Sequence, residues 1–340
     1  MCRSRRGVVL GGALLTLLAP SAACADVIVD DSWADGGRDN GPDPLDSNWW
    51  TSSSPNGIEV AVGSLGLVSG TSGRGIHTVF PTQTLADIGD KLVVTYTFTT
   101  PATVGSNQSA AFRVGLFDTL GRAGLNADVV ASSGSPNSLY GYHVTNTRGL
   151  PGYMMDMDLQ TGTEDLNFRH HNTAVNEGAG TPTGLLMLTT TGFSNISPSG
   201  PDGEYFIVPN TTYTGSISLT RASATEMQVT GSLGNADHTV TDVFDSADVD
   251  MLAFWAVSNA FGSSNQPNTP DNGIDFSNVT IEFIPVQQPG DINNDGVVGP
   301  ADLAELLAQW GPCVDCAADL TGDGVVGPAD LAQLLAAWST

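Results

Sequence analysis

Apolar and polar residues alternate in short runs from residue 26 to 285, and after residue 290 the apolar spacing lengthens to three and four. Leu92, Val94, Tyr96 and Phe98 stand against Val93, Thr95 and Thr97, and Phe112, Val114 and Leu116 against Arg113, Gly115 and Phe117. A period of two puts each set on its own face of a strand. The same texture predicts strands over 58–62, 139–145, 213–221, 227–233, 251–260 and 274–284. Pro55-Asn56-Gly57, Pro151-Gly152, Pro201-Asp202-Gly203 and Asp271-Asn272-Gly273 read as the turns between them. With no helical period intervening, about a dozen short strands predict a mainly β fold, a two-sheet sandwich over 26–285.

Two prolines, Pro285 and Pro289, bracket a short, stiff linker at 286–289. Beyond it Leu303, Leu306, Leu307 and Trp310, then Leu331, Leu334, Leu335 and Trp338, recur at i, i+3, i+4 and i+7. That spacing predicts two helices, each with these four side chains on one face, packed into a small all-α domain over 290–340. So little core predicts that the segment depends on bound metal.

Each helix follows a loop, and the two loops are near copies: residues 295–304 and 323–332 are identical. Asp291, Asn293, Asp295, Gly296 and Asp302 occupy positions 1, 3, 5, 6 and 12 of a twelve-residue loop, and Asp319, Thr321, Asp323, Gly324 and Asp330 repeat them. This is the spacing by which an EF-hand-type loop wraps oxygens around Ca²⁺, with glycine at the sharp turn. The expected ligands are those oxygen-bearing side chains, with the backbone carbonyls of Val297 and Val325 at position 7. Val298 and Val326, at position 8, are expected to join the loops through a short β-bridge. Gly299 and Gly327 leave position 9 to water, and Pro300 and Pro328 suit a first helical turn. Pro289-Gly290 and residues 312–318 forbid a helix ahead of either loop, which leaves a duplicated loop–helix.

On these positions residues 290–340 resemble a dockerin module of type I. The resemblance implies two Ca²⁺ ions and docking onto a cohesin on a scaffold or cell surface. In that family loop positions 10 and 11 often carry polar residues that contact the cohesin. Here they are Pro300-Ala301 and Pro328-Ala329, and residues 286–340 contain no Lys or Arg.

Charge and cysteine usage narrow the picture. Arg3, Arg5 and Arg6 precede an apolar run from Gly7 to Ala19 and small residues up to Ala25, the layout of a secretory signal peptide over 1–25. Cys24 leaves open a lipid-anchored alternative. The whole chain has 11 basic and 36 acidic residues; without the leader eight basic remain, a net charge near −28. Such a balance repels nucleic acid and anionic membrane and favours divalent cations or neutral partners. No later segment is apolar enough to span a membrane, so the expectation is a secreted protein. Outside the leader only Cys313 and Cys316 remain. After export a disulfide is expected there, because zinc needs two more ligands and a redox motif needs a strand–helix context.

Residues 112–118 and 273–283 resemble strands of a concanavalin A-like jelly roll, whose members include lectins, carbohydrate-binding modules and polysaccharide-cleaving enzymes. Neither the Glu-x-Asp-x-x-Glu cluster of laminarinase-type hydrolases nor the Gln-Ile-His signature of alginate-lyase-type jelly rolls occurs. The densest chemistry runs from Tyr140 to His171 and includes Asp156, Asp158 and His170. Tyr140, Tyr142, His143, Arg148, Tyr153 and Arg169 are candidates for stacking on or pairing with a glycan. A lyase would use Tyr or His as base there; plain strand alternation would instead turn Tyr142 and Met155 inward. Trp49, Trp50 and Trp255 read as core or rim. Three functions stay open: a sandwich binding glycan or a surface partner in polysaccharide processing, a polysaccharide lyase or glycoside hydrolase, and a non-catalytic surface structural protein.

Overall fold

The computed structural model describes residues 25–39, 41, 44–51, 56–105, 111–121, 125–128, 150–159, 165–171, 193–201, 205–286, 288–293, 297–313 and 316–338. They form two compact units, Val27–Phe283 and the segment from Ile284 onward. Among the described residues no helix is long and apolar enough to cross a membrane. The expected leader at 1–25, with Cys24, and the expected strand at 139–145 lie outside the described residues.

The first unit is a two-sheet antiparallel sandwich. One sheet has the order β13 (Ala236–Val243), β12 (Glu226–Leu233), β11 (Thr212–Arg221), β6 (Lys91–Thr99), β15 (Gly273–Ile284), β4 (Ser64–Val68) and β3 (Ile58–Ala61). An eighth strand, β1 (Asp26–Asp31), also pairs with β15. The other sheet runs β10 (Phe193–Ile196), β9 (Leu166–His171), β8 (Gly152–Met157), β7 (Phe112–Phe117), β14 (Asp248–Ala256), β5 (Arg74–Thr84) and β2 (Trp49–Thr51).

The alternation read from the sequence is what seals the two sheets. Leu92, Val94, Tyr96 and Phe98 of β6 are fully buried, and the residues between them are not. They meet Phe112, Val114 and Leu116 of β7 and Leu252 and Phe254 of β14 in one core. Aromatic rings bridge the layers, with centroids 5.3 Å apart for Tyr96–Phe254, 5.2 Å for Phe98–Phe112 and 4.5 Å for Phe254–Phe276. Such pairs add about 0.5–1.5 kcal/mol each beyond their area burial. Gly215 of β11 lies opposite Tyr96, where a Cβ would stand 2.6 Å from the ring's Cζ. Only a glycine leaves room for that ring. Trp49 and Trp255 are buried. The strand expected over 251–260 ends at Ala256, because the chain then turns through Asn259 at φ 62°.

The second unit corrects three expectations. It is not all-α: helices α1 (Pro300–Ala308) and α2 (Pro328–Ala336) accompany a small ladder of β16 (Gly311–Pro312) and β17 (Val325–Val326). Val326 pairs with Gly311 rather than with Val298; the two valines share the buried core instead. The predicted four-residue faces are not wholly buried either. Leu306 and Leu334 are covered, whereas Leu307, Leu335 and Trp310 are about half exposed, at 53, 52 and 47%. Two nine-residue helices have too few neighbours to cover so wide a stripe. Cys313 and Cys316 are joined by a disulfide.

Candidate functional site

In the tail, both loops close onto their helices through the same residue. Pro300 and Pro328 start the helices, and the glycines before them are extended, with φ −151° in both. The carboxylate at position 12 then folds back over the loop. Asp302 Oδ1 accepts the N–H groups of Ile292 (2.7 Å) and Asn293 (3.0 Å), and Oδ2 accepts that of Gly299 (2.8 Å). Asp330 Oδ1 accepts the N–H and hydroxyl of Thr321, both at 2.9 Å, and Oδ2 accepts the N–H of Gly327 (2.7 Å). Gly324, at position 6, has φ +84°, the left-handed turn that its place in the loop predicts.

The remaining second-loop carboxylates also turn inward. Asp319 accepts from the N–H groups of Asp323 (3.2 Å) and Gly324 (2.7 Å), and Asp323 from that of Val325 (2.9 Å). Among the described residues no three carboxylate, imidazole or thiolate side chains converge tightly enough to form a ready metal cluster. Asp295 lies outside those residues. Two observations nonetheless fit a hard cation. Asp302 and Asp330 have no exposed surface, in a segment without a single Lys or Arg. Buried charge is normally paired or bound to metal, and every donor offered here is an oxygen, as Ca²⁺ prefers. Burial pushes the Asp330 carboxyl up, but the hydrogen bonds from Gly327 and Thr321 outweigh it and hold the group below its ordinary range.

In the sandwich, the outward face of the seven-stranded sheet gathers buried polar groups. Register places Arg113 of β7 opposite Asp156 of β8, and Arg169 of β9 opposite Asn195 of β10. Arg169 Nε pairs with Asp156 Oδ2, and its Nη1 donates to Asn195 Oδ1. Asp156 has no exposed surface, and among the described residues its Oδ1 has no hydrogen-bond partner. Burial pushes the Asp156 carboxyl up, against the two guanidinium groups. Burial likewise pulls Arg113 down to about 10, while Asp156 opposes that fall. Beside this cluster Phe117, Met154, Met251 and Trp255 make a second apolar core.

Of the candidate glycan residues, Tyr140, Tyr142, His143 and Arg148 lie outside the described residues. Tyr153 is 3% exposed; its hydroxyl donates to the Val243 carbonyl (3.3 Å) and its ring lies 5.1 Å from that of His170. Arg169 is occupied by Asp156. His170 itself spans the two sheets, with Nδ1 2.8 Å from Asp242 and Nε2 3.4 Å from Asp245.

The outward face of the eight-stranded sheet is different in kind. Hydroxyls pair across neighbouring strands: Thr97 with Thr214 (3.1 Å), Thr99 with Thr212 (2.9 Å), Ser216 with Ser232 (2.8 Å) and Thr230 with Thr239 (2.9 Å). Sequence reading missed this face. Its only local sign is threonine or serine at every second position of β11 and in much of β6, β12 and β13.

No family model and no curated protein matches the sequence. Solved structures align over most of the chain at low identity. An endo-1,3-beta-glucanase from Streptomyces sioyaensis is 13% identical, covering 79% of this chain and 100% of its own, with a TM-score of 0.44. Lectin I-B4 from Griffonia simplicifolia is 11% identical, covering 70% and 92%, with a TM-score of 0.40. The exoplasmic/lumenal domain of VIP36, in a Ca²⁺/Man2-bound form, is 8% identical, covering 79% and 91%, with a TM-score of 0.40.

Proposed function

We propose that this is an exported two-module protein whose dockerin-like tail binds two Ca²⁺ ions and attaches the sandwich to a cohesin-like or other surface partner. The observation that carries this reading is the like construction of the two loops, each closed by a buried aspartate at position 12. Asp291, Asn293, Asp295 and Asp302 would hold one ion with the Val297 carbonyl; Asp319, Thr321, Asp323 and Asp330 would hold the other with that of Val325. The ion would supply positive charge among these carboxylates and so order the segment. Calorimetric titration of the full chain tests it: two calcium-binding events are expected, with chelator lowering the helical signal. No heat on adding calcium would refute it.

For the sandwich we propose binding of a neutral glycan or a surface partner, with jelly-roll architecture, as part of polysaccharide processing. Support comes from the hydroxyl-rich face of β6, β11, β12 and β13, which presents donors and acceptors and carries Lys91, Glu226 and Asp237 only at the strand ends. A second reading, a surface structural protein without a glycan role, is favoured by the lack of any ring on that face among the described residues. A panel of polysaccharides separates them. Retention on a glycan that Thr97→Glu with Thr214→Glu abolishes, at unchanged thermal stability, supports binding; no retention on any member supports the structural role.

A further inference from the structure

Cys313 and Cys316, joined by the disulfide, are each tied to the second loop. Cys313 N–H donates to the carbonyl of Gly324, loop position 6, at 2.9 Å. The Cys316 carbonyl accepts the N–H of Asp319, loop position 1, at 3.1 Å. Just ahead of Cys313, Gly311 and Pro312 pair with Val326 and Val325, positions 8 and 7. The disulfide-linked cysteines and the strand before them thus grip the loop at the residue that opens it, at its sharp bend, and along the strand that carries its backbone ligand. Both cysteines are only partly buried, so a small dithiol can reach the bond. At the matching positions ahead of the first loop stand Pro285 and Gln288, not cysteines.

We propose that the Cys313–Cys316 disulfide is a redox lock on the second calcium loop. This rests on the calcium reading given above. In the oxidised chain the clip holds positions 1 and 6 to 8 before the ion arrives, so less ordering remains to be done on binding. A dithiol delivers two electrons and two protons to the Sγ–Sγ bond, which opens to two thiols, and leaves as its own disulfide. The freed cysteines then release Asp319 and Gly324, and the second loop must order itself at the expense of calcium affinity. The two sites, near-identical in sequence, become unequal, and only one of them answers to redox state.

The test is calcium calorimetry on the full chain, oxidised and after treatment with dithiothreitol, alongside Cys313→Ser/Cys316→Ser. One of two binding events is expected to weaken roughly tenfold on reduction, the scale that closing so short a loop allows, with the other unchanged. The double serine variant should match the reduced protein without reductant. Asp323→Asn keeps an acceptor for Val325 N–H while removing a charge, and should weaken the same event that reduction weakens. Equal affinities in the two redox states, or equal losses at both sites, would overturn the lock while leaving calcium binding intact. Absence of binding in both states would overturn calcium binding and the lock together.

Discussion

Replacing Asp330 by alanine removes the acceptor on which the second loop closes. Its oxygens take the N–H and hydroxyl of Thr321 and the N–H of Gly327, at 2.9, 2.9 and 2.7 Å. Hydrogen bonds to a charged partner contribute about 1.5–3 kcal/mol each. These three share one carboxylate and are not independent, so the loss is closer to about 3–4 kcal/mol than to the threefold sum. The tail core consists of Ile292, Val298, Leu306, Ala318, Val326 and Leu334. A module of this size is stable by only about 3–7 kcal/mol. Without calcium the variant tail should therefore be at the edge of unfolding while the sandwich stays intact. Hydrogen exchange read by mass spectrometry on the full chain provides the assay. Amides over 319–336 should lose about two to three orders of magnitude of protection, with β6, β7 and β14 unchanged. Asp330→Asn, which can still accept at Oδ1, should lose roughly half as much on a logarithmic scale. Protection over 319–336 that is indifferent to Asp330→Ala would refute the closing role of this carboxylate.

Other expectations concern the sandwich. Burial holds the His77 imidazole down to about 4, against the Leu125 carbonyl and Asp128. The unfolded chain takes up that proton near 6.5, so His77 costs the fold stability as pH falls from 6.5 towards 4, by about 3 kcal/mol in all. Urea midpoints of wild type and His77→Gln should diverge in that window, and parallel pH profiles would contradict it. Arg169→Ala leaves Asp156 buried with half its charge compensation and should cost about 3–5 kcal/mol in thermal unfolding; a loss below about 1 kcal/mol would show the pair to be idle. Gly215→Ala forces a Cβ against the Tyr96 ring and should cost about 1–3 kcal/mol. Tyr96→Phe removes the nearby hydroxyl and should relieve part of that cost in the double variant, whereas strict additivity would mean the two residues do not meet.

Strand texture and loop spacing were legible because both are local. A period of two buries Leu92, Val94, Tyr96 and Phe98 whatever lies across from them. Glycine at position 6 and proline at the first helical turn act through their own backbone angles. Contacts between segments distant along the chain were not legible. The Arg113–Asp156 opposition depends on the register of β7 with β8, and nothing in either strand states which residue of the other it will face. The hydroxyl ladder likewise exists only once β6, β11, β12 and β13 lie side by side. The predicted helical faces failed for a related reason: periodicity says which side chains share a stripe, but the number of neighbours available decides how much of it is covered. Sequence alone determined a chain of short β-strands with a twice-repeated, oxygen-lined tail, since those features are set within a few residues. The tertiary structure decided which polar groups are buried together, because burial and register are properties of the assembled sheets.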